Sequence, residues 1–89
     1  MKPLKWNEEK NTKLKEIRGL GFEEVARLIK KGKIVDITNH ENKRYKHQHI
    51  YVINIQGYIY LVPFVEDEEK IFLKTIIPSR KATKKYLGR

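Results

Sequence analysis

The chain has 89 residues, below the usual domain mode of about 100–150, so one hydrophobic core is the most it can build. It has no cysteine, which excludes disulfide staples, thiolate metal ligands and cysteine nucleophiles. Against 11 Asp and Glu stand 20 Lys and Arg, a formal charge of +9 that raises the local concentration of anionic partners.

Residues 1–6 are too polar for a signal peptide, and no apolar run approaches the roughly 18 residues of a membrane span. A cytoplasmic protein without a membrane partner is therefore expected. The charge is unevenly spread: residues 78–89 carry Arg80, Lys81, Lys84, Lys85 and Arg89 with no acid, whereas Glu66-Asp67-Glu68-Glu69 is wholly acidic.

In chain order, Trp6-Asn7-Glu8-Glu9-Lys10 marks a helix start. Asn7 is placed to cap an orphan amide, and two glutamates complement the helix dipole. This helix is predicted to run to Arg18, with Leu14 and Ile17 toward the core and Gly19 and Gly21 bracketing a turn. Phe22, Val25, Ala26, Leu28 and Ile29 recur at the three-to-four spacing of a second amphipathic helix, ended by Gly32. Ile34, Val35 and Ile37 predict a short strand, and residues 38–48 a polar loop.

Residues 49–77 read as β structure. A two-residue Gln56-Gly57 turn would pair Ile55 with Tyr58, Ile53 with Tyr60 and Tyr51 with Val62. The acidic run makes the next turn, and residues 71–77 return as a third antiparallel strand. Pro63 would then lie in the central strand opposite Ile50, its missing N–H directed at the third strand, so a bulge or broken pairing is predicted there. Pro78 stops that strand, Ser79 caps, and Arg80 to Leu87 form a short helix ended by Gly88. The expected fold class is α+β in a single domain spanning residues 1–89. It has two N-terminal helices, an antiparallel meander sheet of about four strands and a short C-terminal helix, with the helices on one sheet face.

In the last helix Arg80 and Lys84 share one row and Lys81 and Lys85 a neighbouring one. Like charges at that spacing repel unless an anion lies against them, and the Ser79-Arg80 helix start favours a phosphate. The competing reading is a solvated basic face. His40, His47 and His49 lack the cysteines or carboxylate cluster of a metal site, so no metal or cofactor is expected. Trp6 and the tyrosines 51, 58 and 60 look first like core or strand-face residues, while Tyr45 and Tyr86, each beside a cation, are better placed to stack bases. No Gly-x-Ser-x-Gly, His-Glu-x-x-His or phosphate-loop pattern is present.

Three segments in order, Trp6-Asn7-Glu8-Glu9-Lys10-Asn11, Gly21-Phe22-Glu23-Glu24-Val25 and Ile76-Ile77-Pro78-Ser79-Arg80-Lys81-Ala82-Thr83, give the chain a family resemblance. It resembles BrnT-type toxins of bacterial type II toxin-antitoxin modules over nearly its whole length. Asn7 stands for that family's usual aspartate, Arg18-Gly19 for its His-Gly, and Pro78-Ser79-Arg80 for its Ser-Ala-Arg. The resemblance implies a RelE-like fold in the wider RelE/ParE-like superfamily. It also implies a metal-independent endoribonuclease that blocks translation, with or without the ribosome, and a cognate antitoxin, usually a DNA-binding ribbon-helix-helix protein.

On that resemblance Arg80 matches the family's terminal arginine and is the first choice to hold the phosphate, with Lys10, Lys84 and Arg44 assisting. Lys81, Lys85 and Arg18 would bind the RNA backbone, with Trp6, Tyr45, Tyr86 and His47 as further RNA contacts. The proton acceptor stays open among Lys81, Lys84, Glu9 and His47. A non-catalytic RNA- or partner-binding module of the same fold is the alternative.

Overall fold

The structure, a computed structural model, describes residues 1–39 and 48–88. Arg44, Tyr45 and His47, together with His40, lie outside the described residues.

Strand β1 (Leu4–Lys5) leads into helix α1 (Glu8–Arg18). Asn7 caps α1 as expected: its side-chain oxygen accepts from the Lys10 N–H at 2.9 Å. Gly19 ends the helix in the left-handed region at φ 67°. Helix α2 (Phe22–Lys30) buries Phe22, Val25, Ala26 and Ile29.

The inward stripe of α1 departs from expectation, because Leu14 is buried but Ile17 is 77 % exposed and Asn11 is buried in its place. The cause is a polar joint between the helices. Asn11 Oδ1 accepts from the Phe22 N–H at 2.7 Å, which caps α2 from outside, since Gly21 has no side chain to do so. A Cβ on Gly21 would come within 2.7 Å of that oxygen, so glycine is needed here for space. Asn11 Nδ2 and Lys15 Nζ both donate to Glu23 Oε2.

Strands β2 (Asp36–Asn39), β3 (His49–Ile55), β4 (Tyr58–Glu66), β5 (Ile71–Leu73) and β6 (Ile77–Pro78) complete the sheet. Its order is β1-β5-β4-β3-β2, with β6 also on β4. The hairpin register is the predicted one: Ile55 pairs with Tyr58, Ile53 with Tyr60, Tyr51 with Val62 and Ile50 with Pro63. Its turn takes Gln56 and Gly57 to φ 52° and 84°, the left-handed pair that a two-residue hairpin loop needs.

Opposite Pro63 the third strand breaks. Phe64 pairs with Leu73, whereas Leu61 pairs with Ile77, so one extra residue has entered between them and β5 and β6 are two pieces of one interrupted strand. Pro63 still accepts from the Lys74 N–H at 2.8 Å.

Two further expectations are corrected. The sheet has six strands rather than about four and is mixed, because β1 pairs parallel with β5; two residues are too few to show a period in sequence. The helices are also divided between the faces. α1 and α2 cover Tyr51, Ile53, Val62, Phe64, Leu73 and Ile76, while the last helix, α3 (Arg80–Leu87), covers Val52 and Ile59 on the opposite face. Ala82, Tyr86 and Leu87 supply its apolar side.

Candidate nucleic-acid interface

Helix α3 is fixed to the sheet by hydrogen bonds at its start. Ser79 Oγ caps the Ala82 N–H at 3.0 Å, and the Ser79 N–H donates to the Ile59 carbonyl at 3.0 Å. The Thr83 hydroxyl accepts from the Ile59 N–H at 2.8 Å and donates to the Ser79 carbonyl at 2.7 Å. Both ladder groups of Ile59 that β6 does not reach are thereby satisfied. At the far end the Tyr86 hydroxyl donates to Asp36 Oδ2 at 2.7 Å, so α3 runs from the centre of the sheet to β2. That bond, with partial burial and the Asp36 charge, raises the Tyr86 pKa above its usual value.

Burying Ala82 and Thr83 forces Arg80, Lys81, Lys84 and Lys85 outward, where all four are exposed. The ion pairs among the described residues are Lys2 with Glu66, Lys15 with Glu23, Arg27 with Glu24 and Lys70 with Asp67. None involves α3. Helices α1 and α2 each carry two glutamates in the first turn, but α3 carries none and begins with two cations at the positive end of its dipole. Its same-row cations repel, by roughly 0.2–0.5 kcal/mol per pair on an isolated helix. An anion against this surface relieves both terms.

Beside α3 the same sheet face is open. Ile50, Val52, Leu61 and Pro63 floor a groove, and Lys81, Lys85 and Tyr86 stand at its α3 wall. Lys85 Nζ lies 5.2 Å from the centre of the Tyr86 ring. An apolar floor with a cationic rim suits a ligand having flat faces and a charged backbone.

The remaining predicted residues are spread around the molecule. Arg80 and Lys84 occupy the neighbouring row of α3. Lys10 lines a second groove with Asn7, Glu9, Lys13, Phe72 and Lys74. Arg18 lies at the other end of α1, eight residues or about 12 Å along the helix from Lys10, in a third groove with Glu24, Gln56 and Tyr60. Trp6 is half-buried; its ring stacks on Phe22 with centroids 5.6 Å apart, and its indole N–H donates to Glu8. His49 contacts Asn39 Oδ1 through Nδ1 at 2.9 Å and packs against Phe64. Among the described residues no group of His, Asp or Glu is arranged to hold a metal ion. No described helix is long and apolar enough to cross a membrane.

Lys13, Phe72 and Lys74 were not singled out by the sequence pattern. The signal was present as alternation: Ile71 and Leu73 face the α1 and α2 core, which turns Phe72 and Lys74 to the face that carries α3.

Residues 6–85 match the sequence model of a family described as the ribonuclease toxin, BrnT, of type II toxin-antitoxin system. No curated protein matches the chain, and no solved structure does.

Proposed function

Since this chain belongs to the BrnT family of ribonuclease toxins of type II toxin-antitoxin systems, we propose that it cleaves RNA on the α3 side of its sheet, blocks translation by doing so, and is neutralised by a cognate antitoxin. The observation that carries this reading is α3 itself: four outward cations, no acid and no ion pair among the described residues, beside an open groove.

The reaction needs no resident metal. The RNA 2′-oxygen attacks the adjacent phosphorus, its proton passes to a base, and the P–O5′ bond breaks as an acid protonates the leaving oxygen. The products are a 2′,3′-cyclic phosphate and a 5′-hydroxyl. Arg80, at the start of α3, is the group for the developing phosphorane charge, with a planar fork of donors that fits two phosphate oxygens. Lys84 on the same row and Lys81 and Lys85 on the next add to the field. Lys81, Lys84 and Glu9 are the described candidates for the base.

The antitoxin reading follows from the same charge. An acidic segment of a ribbon-helix-helix partner laid on α3 would neutralise the cations that hold RNA and close the site.

Inducing the chain without its neighbouring gene, and following growth and messenger integrity, tests the reading. Growth arrest with RNA loss is expected, and Arg80→Ala should abolish both with an unchanged melting temperature, because the side chain is exposed. Normal growth with intact RNA, alongside salt-sensitive RNA binding in vitro, would instead favour a non-catalytic binding module.

A further inference from the structure

The groove at the start of α1 looks separate from α3, since α1 packs on the opposite sheet face. Its β5 wall is not separate. Phe72 and Lys74 project to the α3 face, and so does Lys5, the cross-strand partner of Phe72. The Lys74 N–H bonds to the carbonyl of Pro63, and Pro63 floors the groove beside α3. The two grooves are therefore neighbours across one strand spacing, about 4.8 Å.

Three lysines line the α1 groove: Lys10 and Lys13, three residues apart on one helix face, and Lys74, the residue after β5. None is in an ion pair among the described residues. Lys74 Nζ lies 5.7 Å from the centre of the Phe72 ring, and that ring is partly exposed. Glu9 is the single acid in the lining and leaves the groove with an excess of positive charge.

We propose that this groove is a second RNA-binding subsite, in which Lys10, Lys13 and Lys74 hold phosphates of a single strand crossing the sheet from α3 by way of Pro63, and Phe72 stacks one of its bases. The inference rests on the RNA reading above and extends it. A phosphodiester chain supplies repeated negative charge along its length, and an aromatic platform takes only a base free of its own stack, which selects single-stranded over duplex RNA. The arrangement also accounts for Lys10 and Arg80 serving one ligand although their helices lie on different sheet faces.

The test is fluorescence anisotropy with a short labelled RNA, 2′-O-methylated throughout so that it binds without being cleaved, over a range of salt. Replacing Lys13 and Lys74 together with alanine should weaken binding at least tenfold and flatten the salt slope by about 0.7 per lysine. Glu9→Gln should tighten it several-fold by removing the one opposing charge. The control is Lys30→Ala with Lys31→Ala, at the far end of α2, which removes equal charge and should leave affinity within twofold. A duplex of the same sequence should compete poorly.

Wild-type affinity in the Lys13/Lys74 variant, with loss in Arg80→Ala, would overturn the subsite and leave the α3 reading standing. Equal weakening by the Lys30/Lys31 control would overturn it as diffuse charge, and equal competition by duplex would overturn the single-strand assignment. Failure of the unaltered protein to bind RNA would overturn both readings.

Discussion

A buried amide at position 11 joins the two N-terminal helices, and its removal has a definite cost. Asn11→Ala leaves the Phe22 N–H without its cap and Glu23 without one of its donors, so stability should fall by about 1–3 kcal/mol. In a domain of this size that lowers the melting temperature by roughly 4–8 °C per kcal/mol, and an unchanged melt would show that the joint does not hold the helices. Glu23 is held below the usual carboxylate range chiefly by Lys15 and then by Asn11, so the joint is intact near neutrality and weakens as acid protonates it. Asp67 behaves in the same sense in the acidic turn. Lys70 and the backbone N–H groups of Glu69 and Lys70 lower its pKa to about 2. Its contribution is fully present above the unfolded value near 3.8 and is lost as pH falls through about 2, which a carboxyl NMR titration reads directly; a midpoint near 3.8 would contradict the turn geometry. Position 11 was not legible in advance. Periodicity favours Ile17 as the buried residue, and only the tertiary need to cap a helix that begins with glycine reverses that choice.

The Thr83 hydroxyl is one of the groups that couple helix α3 to the sheet, and Thr83→Val keeps the residue's shape while removing that hydroxyl. The buried Ile59 N–H then has no acceptor, a loss of about 1–3 kcal/mol, and its amide should exchange much faster with solvent than in the unaltered protein. Unchanged protection at Ile59 would show that the Thr83 hydroxyl does not hold α3 to the sheet. At this scale the sequence was a good guide wherever local chemistry decides geometry. Asn7, Ser79, Gly19 and Gly88 marked helix ends, a two-residue turn set the β3–β4 register, and Pro63 announced the interrupted third strand. It was a poor guide where pairing is non-local. Nothing in Leu4-Lys5 points to a parallel partner 67 residues away, and the apolar side of α3 does not say which sheet face it covers.

Across the whole molecule, acids and bases are sorted by task. Among the described residues, Glu8, Glu9, Glu23 and Glu24 stand at helix starts, Lys2 is bonded to Glu66 and to the Asp67 carbonyl, and no cation of α3 is in an ion pair. The α3 cations were visible in the sequence as a run without acids. Their continuation through Lys74 to α1 was not, because Lys74 reads as an ordinary solvated strand residue until Pro63 is placed beside it. The α3 side is where the proposed function puts the RNA and the antitoxin that would displace it. The most direct test of the central claim is cleavage of a defined RNA by the purified chain in excess EDTA, with fragment ends analysed. Fragments carrying 2′,3′-cyclic phosphate, unaffected by the chelator, are expected, with a rate about 10²–10³-fold lower for Arg80→Ala. Intact RNA with the unaltered protein, or an undiminished rate with Arg80→Ala, would contradict it.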